Sequence, residues 1–78
     1  MKYSINVRTF KKLLKHYGFG IKRQNGSHAI YSNGNLSRVF TMEKQTHTYS
    51  QGHLKKLLKD FNLSELKLRF FLNNKYHK

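Results

Sequence analysis

The sequence predicts an α+β fold of two layers in the order α-β-β-β-α. A three-stranded antiparallel sheet packs on two helices, and a short C-terminal helix is added. Three observations predict it. Residues 6–17 and 52–61 each repeat apolar side chains at helical spacing. Between them, three short runs of strand character are divided by Asn25-Gly26 and Asn33-Gly34. A meander flanked in this way can bury one face under the helices and leave the other in water.

In the first segment, Val7, Phe10, Leu13, Leu14 and Tyr17 fall on one helical face. Asn6 suits the N-cap, where a side-chain oxygen accepts a first-turn N–H, and Gly18 suits the left-handed residue that closes a helix. The opposite face, Arg8, Lys11, Lys12 and Lys15, reads as solvated surface. Strands are expected at 19–24, 28–32 and 37–42. Asn25-Gly26 is a type I′ hairpin signal, because both turn positions need positive φ. A two-residue turn there sets Gln24 opposite Ser27, Arg23 opposite His28 and Ile21 opposite Ile30. For the second connection, a four-residue loop at 33–36 sets Ile30 opposite Val39 and extends an apolar row across all three strands. A one-residue slip would turn that row to the wrong face.

Residues 43–51 lack periodicity and read as a polar loop. The second helix carries Leu54, Leu57, Leu58 and Phe61 on one side and Lys55, Lys56 and Lys59 on the other, and Asn62 can end it. Ser64 then caps a helical segment in which Leu66, Phe70 and Leu72 are partly periodic, before a frayed tail. The chain reads as a single domain over 1–78, with its core at about 6–63 and the C-terminal helix and tail at 64–78.

Sixteen Lys and Arg against Glu43, Asp60 and Glu65 give a net charge of +13 on 78 residues, with an isoelectric point near 10.4. Such a field attracts polyanions and speeds their encounter. Nucleic acid is therefore the first partner class, ahead of an anionic membrane surface or an acidic protein. No helix shows a broad apolar face rimmed by aromatics and free of a globular partner. With no long apolar run and no signal-peptide core, a cytoplasmic protein without membrane association is expected. The absence of cysteine excludes disulfides and thiolate metal sites. His47 and His53 do not have a zinc spacing, so neither metal nor cofactor is expected. His16 and His77 read as solvated.

The richest chemistry lies in "RQNGSHAIY", residues 23–31. A histidine beside a hairpin turn is either a polar residue facing water or a general acid/base presented to a phosphodiester. RNA carries its own nucleophile, the 2′-hydroxyl. Its cleavage needs a base, an acid and donors for the charged phosphate. Imidazole suits the proton transfers because its unperturbed pKa, about 6.5, lies near neutrality. With Arg23 opposite His28, the cation would favour the neutral ring, and the guanidinium could hold a phosphate through paired hydrogen bonds. Lys22, Ser27 and the backbone N–H groups around Gly26 are further phosphate donors. One imidazole does not easily act as base and acid in the same step, so the second proton would move through water, His47 or His53.

Leu13, Leu14, Gly18 and Phe19, then Arg23, Gln24, Gly26, Ser27, His28 and Tyr31, then Gly52, Leu54, Leu57 and Leu58 form a pattern over residues 9–63. That pattern resembles the HicA-type toxins of bacterial toxin–antitoxin pairs. The resemblance implies a double-stranded-RNA-binding-like fold and ribonuclease activity on messenger RNA, with His28 as the catalytic residue. It also implies a cognate HicB antitoxin that binds and blocks the toxin. Lys55, Lys56 and Lys59 would then grip phosphates, since such domains read A-form shape and backbone; a solvated face explains them equally well. Thr41-Met42-Glu43-Lys44 stands where relatives commonly have Val-Pro-x-His, and Gly52-His53-Leu54 where they have Gly-Thr-Leu. A non-catalytic RNA- or DNA-binding module, or a protein-binding element that complements an acidic partner, are the other readings of the same residues.

Overall fold

Helix α1 (Val7–His16) starts at the expected cap. Asn6 Oδ1 accepts from the Thr9 N–H at 2.9 Å. The two preceding helical N–H groups, of Val7 and Arg8, donate to the carbonyls of His47 and Gln45 at 2.9 and 3.2 Å. Three of the four N–H groups that an α-helix cannot satisfy internally are thus taken. The loop read as merely polar supplies two of these partners. It also forms an antiparallel bridge between Asn6 and Thr48 and sends Tyr49 into the core. A lone anchor of this kind has no periodicity to betray it.

The computed structural model describes residues 4–41 and 43–75. After α1 come β1 (Gly20–Asn25), β2 (His28–Ser32) and β3 (Ser37–Thr41), then α2 (Gln51–Asp60) and α3 (Glu65–Lys75). Met42, expected to end the third strand, lies outside the described residues, as do Tyr76, His77 and Lys78. Helix α3 continues to Lys75, into the tail expected to fray.

Helices α1 and α2 close in the same manner. After α1, Gly18 takes φ +88°; its N–H donates to the Lys15 carbonyl at 3.1 Å, and that of Phe19 reaches back to Leu14 at 2.9 Å. After α2, Asn62 takes φ +55°; its N–H donates to Lys59 at 3.0 Å and that of Leu63 to Leu58 at 2.8 Å. This is the Schellman arrangement, with glycine and asparagine at the left-handed position. It turns Phe19 and Leu63 inward, where both are buried.

The sheet is antiparallel in the order β1-β2-β3. Between β2 and β3 the four-residue loop stands as expected, with Ser32 opposite Ser37 and Ile30 opposite Val39. Asn33 Oδ1 braces that loop by accepting from the N–H groups of Asn35 and Leu36 at 3.0 and 2.9 Å.

The first hairpin differs from expectation by one residue. Asn25 pairs with His28 and Arg23 with Ile30, so Gly26 and Ser27 form the turn and Arg23 is not opposite His28. Gly26 has φ +64° while Asn25 and Ser27 have no positive φ. A single left-handed glycine at the first turn position is the type II′ pattern rather than I′. A bulge between Ile21 and Arg23 then sets Ile21 opposite Tyr31, not Ile30. Without the bulge, Lys22 would face Tyr31 on the helix side of the sheet; the extra residue brings Ile21 there instead.

This register also settles which face is buried. Ala29, Tyr31 and Phe40 pack against the helices, whereas Ile30 is half-buried and Val39 is 62% exposed. The apolar row through Ile30 and Val39 therefore lies on the open face. Phe61, just past α2, sits at the centre of an aromatic cluster, with ring centroids 6.0 Å from Phe10, 5.2 Å from Phe19, 6.4 Å from Tyr31 and 6.3 Å from Phe40. Helix α3 packs on the end of α1. Phe71 lies 5.3 Å from the His16 ring, and the Tyr17 hydroxyl donates to the Lys67 carbonyl at 3.0 Å. Among the described residues its buried side chains are Leu68 and Phe71, while Leu66 and Phe70, of the partly periodic set, are 63% and 59% exposed.

Candidate nucleic-acid interface

The open face of the sheet is where the motif residues gather. His28 begins β2 beside the turn and is exposed. Its ladder partners are Asn25 on β1 and Thr41 on β3. Directly opposed residues share a face, so these three form the end row of the open side. The next row on that face is Arg23, Ile30 and Val39. Arg23 is thus the diagonal neighbour of His28. Diagonal neighbours in a sheet stand about 7–8 Å apart, within reach of a long side chain.

Gly26 and Ser27 occupy the turn next to His28, where the Gln24 amide donates to the Gly26 carbonyl at 3.3 Å. Lys22 is the extra residue of the bulge, exposed and without a ladder partner. The structure therefore brings together His28, Arg23, Gly26 and Ser27, with Lys22 at the outer edge. Thr41 opposite His28 follows from the expected four-residue second loop, whereas Asn25 does not follow from the expected first turn. The signal for Asn25 is the Gly-Ser pair, which competes with Asn-Gly as a two-residue turn.

The lysines of α2 divide among different grooves. Lys56 borders a cleft of about 210 Å³ along the outer edge of β3, shared with Val39, Thr41 and His53. Lys55 and Lys59 line a separate groove toward the start of α3. Lys56 thus shares a groove with Thr41, a residue of the His28 row. The same cleft separates the two histidines considered for a second proton transfer, since His53 borders it and His47 does not. Both rings pack edge-on against Tyr49, at 5.5 Å for His47 and 5.1 Å for His53. Burial, helped by the Glu43 charge and then by Tyr31, pushes the Tyr49 phenol up to about 12, so it stays neutral near pH 7. Among the described residues, no three His, Cys, Asp or Glu side chains are placed to share a metal ion. No helix among them is long and apolar enough to cross a membrane.

The chain is a small basic domain whose open antiparallel face carries an exposed imidazole with a guanidinium as its diagonal neighbour. The family model for the HicA toxin of bacterial toxin–antitoxin systems matches residues 7–63, and the chain belongs to that family. The match runs from the first residue of α1 to the residue that closes α2, and leaves α3 outside. No curated protein and no solved structure matches the chain. Family membership gives it the role of a toxin and implies an antitoxin as its partner.

Proposed function

We propose that this toxin is an endoribonuclease that cleaves messenger RNA without a metal ion, with His28 as its general acid/base and a HicB-like protein as its antitoxin. The observation that carries the reading is the placement of an exposed His28 on the open face of the sheet with Arg23 diagonal to it. The strand enters along that face. Arg23 holds the scissile phosphate by paired hydrogen bonds, with Lys22 and the N–H groups around Gly26 and Ser27 nearby. His28 takes the 2′-proton as the 2′-oxygen bonds to phosphorus. The P–O5′ bond breaks, and the 5′-oxygen takes a proton from water or from His53. The products are a 2′,3′-cyclic phosphate and a 5′-hydroxyl.

Incubation of the protein with a defined RNA in excess EDTA tests this reading. Cleavage with cyclic-phosphate and 5′-hydroxyl ends is expected. Loss of cleavage in EDTA, or 5′-phosphate ends, would contradict it, since both belong to metal-assisted hydrolysis.

A further inference from the structure

A second groove, of about 410 Å³, runs between α1 and β1. Its rim is the stripe of α1 that the sequence presents as solvated surface: Arg8, Lys11, Lys12 and Lys15. Its floor is apolar, from Phe19, Ile21 and Tyr31, and no acidic residue lines it among the described residues. Phe19 and Tyr31 are each only 4% exposed, so the floor offers chiefly Ile21, which is 50% exposed. The bulge in β1 is what puts Ile21 there.

A solvated cationic face needs no apolar floor. Single-stranded nucleic acid would use the cations, but it also seeks open aromatic faces for its bases to stack on. Here the rings are sealed and the exposed apolar group is aliphatic. An apolar centre inside a basic rim is instead complementary to a polypeptide that carries an apolar anchor flanked by carboxylates. We propose that this groove docks an acidic, apolar-anchored segment of the partner antitoxin. The proposal rests on the toxin–antitoxin reading and deepens it. Ile21 faces the helix side of the sheet and His28 the open side. Docking here therefore grips the toxin without covering the imidazole.

The test uses the full chain and three labelled probes: a short glutamate-rich peptide with leucine anchors, its twin with serine in place of leucine, and a short oligouridine. Binding is compared between the parent protein, Ile21→Ser, and the double variant Lys11→Gln/Lys15→Gln, with thermal melting to verify folding. The anchored peptide is expected to bind the parent more tightly than its serine twin. It should lose about tenfold or more in each variant, in line with loss of an apolar anchor or of paired charges. Oligouridine binding and RNA cleavage should be unchanged in Ile21→Ser. Equal binding of the two peptides, or a retained affinity in the variants, overturns the proposal. A matching loss of oligouridine binding in Ile21→Ser makes the groove an RNA track and overturns it as well. Failure of the parent to cleave RNA would instead strike the ribonuclease reading and leave the peptide result to stand by itself.

Discussion

Arg23 lies diagonally across the β1–β2 ladder from His28, on the same open face and one pair further into the sheet. On the proposed ribonuclease reading, its guanidinium from there meets a phosphate beside the imidazole rather than standing directly opposite the ring. Arg23→Ala is expected to weaken RNA binding and to reduce the salt dependence of log K by about 0.7, the share of one phosphate on a single strand. Arg23→Lys should restore that slope but not the cleavage rate, because an ammonium lacks the paired donors of the fork. An unchanged slope in Arg23→Ala would remove the residue from the phosphate path.

The three lysines of α2 should not behave alike. Lys56 shares a cleft with Thr41 and His53, whereas Lys55 faces the groove toward α3. Lys56→Ala is expected to lower kcat/KM on RNA several-fold and Lys55→Ala to leave it nearly unchanged. Equal losses would point to a clamp spread over the whole helix.

Stability depends on Phe61 far more than its place at the end of a helix suggests. Truncation of a buried phenylalanine to alanine typically costs about 3–5 kcal/mol, a large part of the ~5–15 kcal/mol that holds a domain together. Phe61→Ala should therefore unfold the protein at much lower urea than the parent. Phe70→Ala, at a ring that is 59% exposed, should change stability by only about 0.5 kcal/mol, as at most surface sites. Similar costs at the two positions would contradict the described orientation of α3.

Tyr49 sets an alkaline limit. Its phenol rises from an ordinary 10.0 to about 12 in the folded protein, and burial raises Tyr31 as well. A raised acid releases its proton more readily from the unfolded chain. The stabilisation is therefore complete below about pH 10 and is lost as pH climbs toward 12. The Tyr49 hydroxyl also has no hydrogen-bond partner among the described residues. Tyr49→Phe is expected to keep or slightly raise stability at pH 7 and to lose less of it between pH 10 and 12, followed by circular dichroism. An identical alkaline loss in both proteins would exclude Tyr49 as its source.

Much of the fold was legible in the sequence because it is encoded locally. Asn6, Ser64, Gly18 and Asn62 each act through backbone geometry within a few residues, and each does what its chemistry suggests. The second hairpin was legible because Asn33 braces its own loop. The first was not. "QNGSH" holds two overlapping turn signals, and the choice between them is made by tertiary burial of Ala29, Tyr31 and Phe40 beneath Phe61. Alanine and tyrosine are weaker apolar signals than Ile30 and Val39, so the open face looked like the buried one. In α3 the run from Leu66 to Leu72 fits more than one helical face, and only packing on α1 selects Leu68 and Phe71. His28 stood out from its motif and Thr41 opposite it follows from the second-hairpin register, whereas Asn25 follows from a first-hairpin register that local sequence left open.

Single-turnover cleavage of a defined RNA by the parent protein and by His28→Ala, at matched concentration and in EDTA, reaches the central claim most directly. The proposed chemistry predicts a rate lower by about 10²–10⁴-fold in the variant, the usual worth of a general acid/base. The melting temperature and RNA affinity should be nearly unchanged, because the side chain is exposed. Cleavage by His28→Ala at the parent rate, or no cleavage by the parent under any tested RNA and salt, would contradict it.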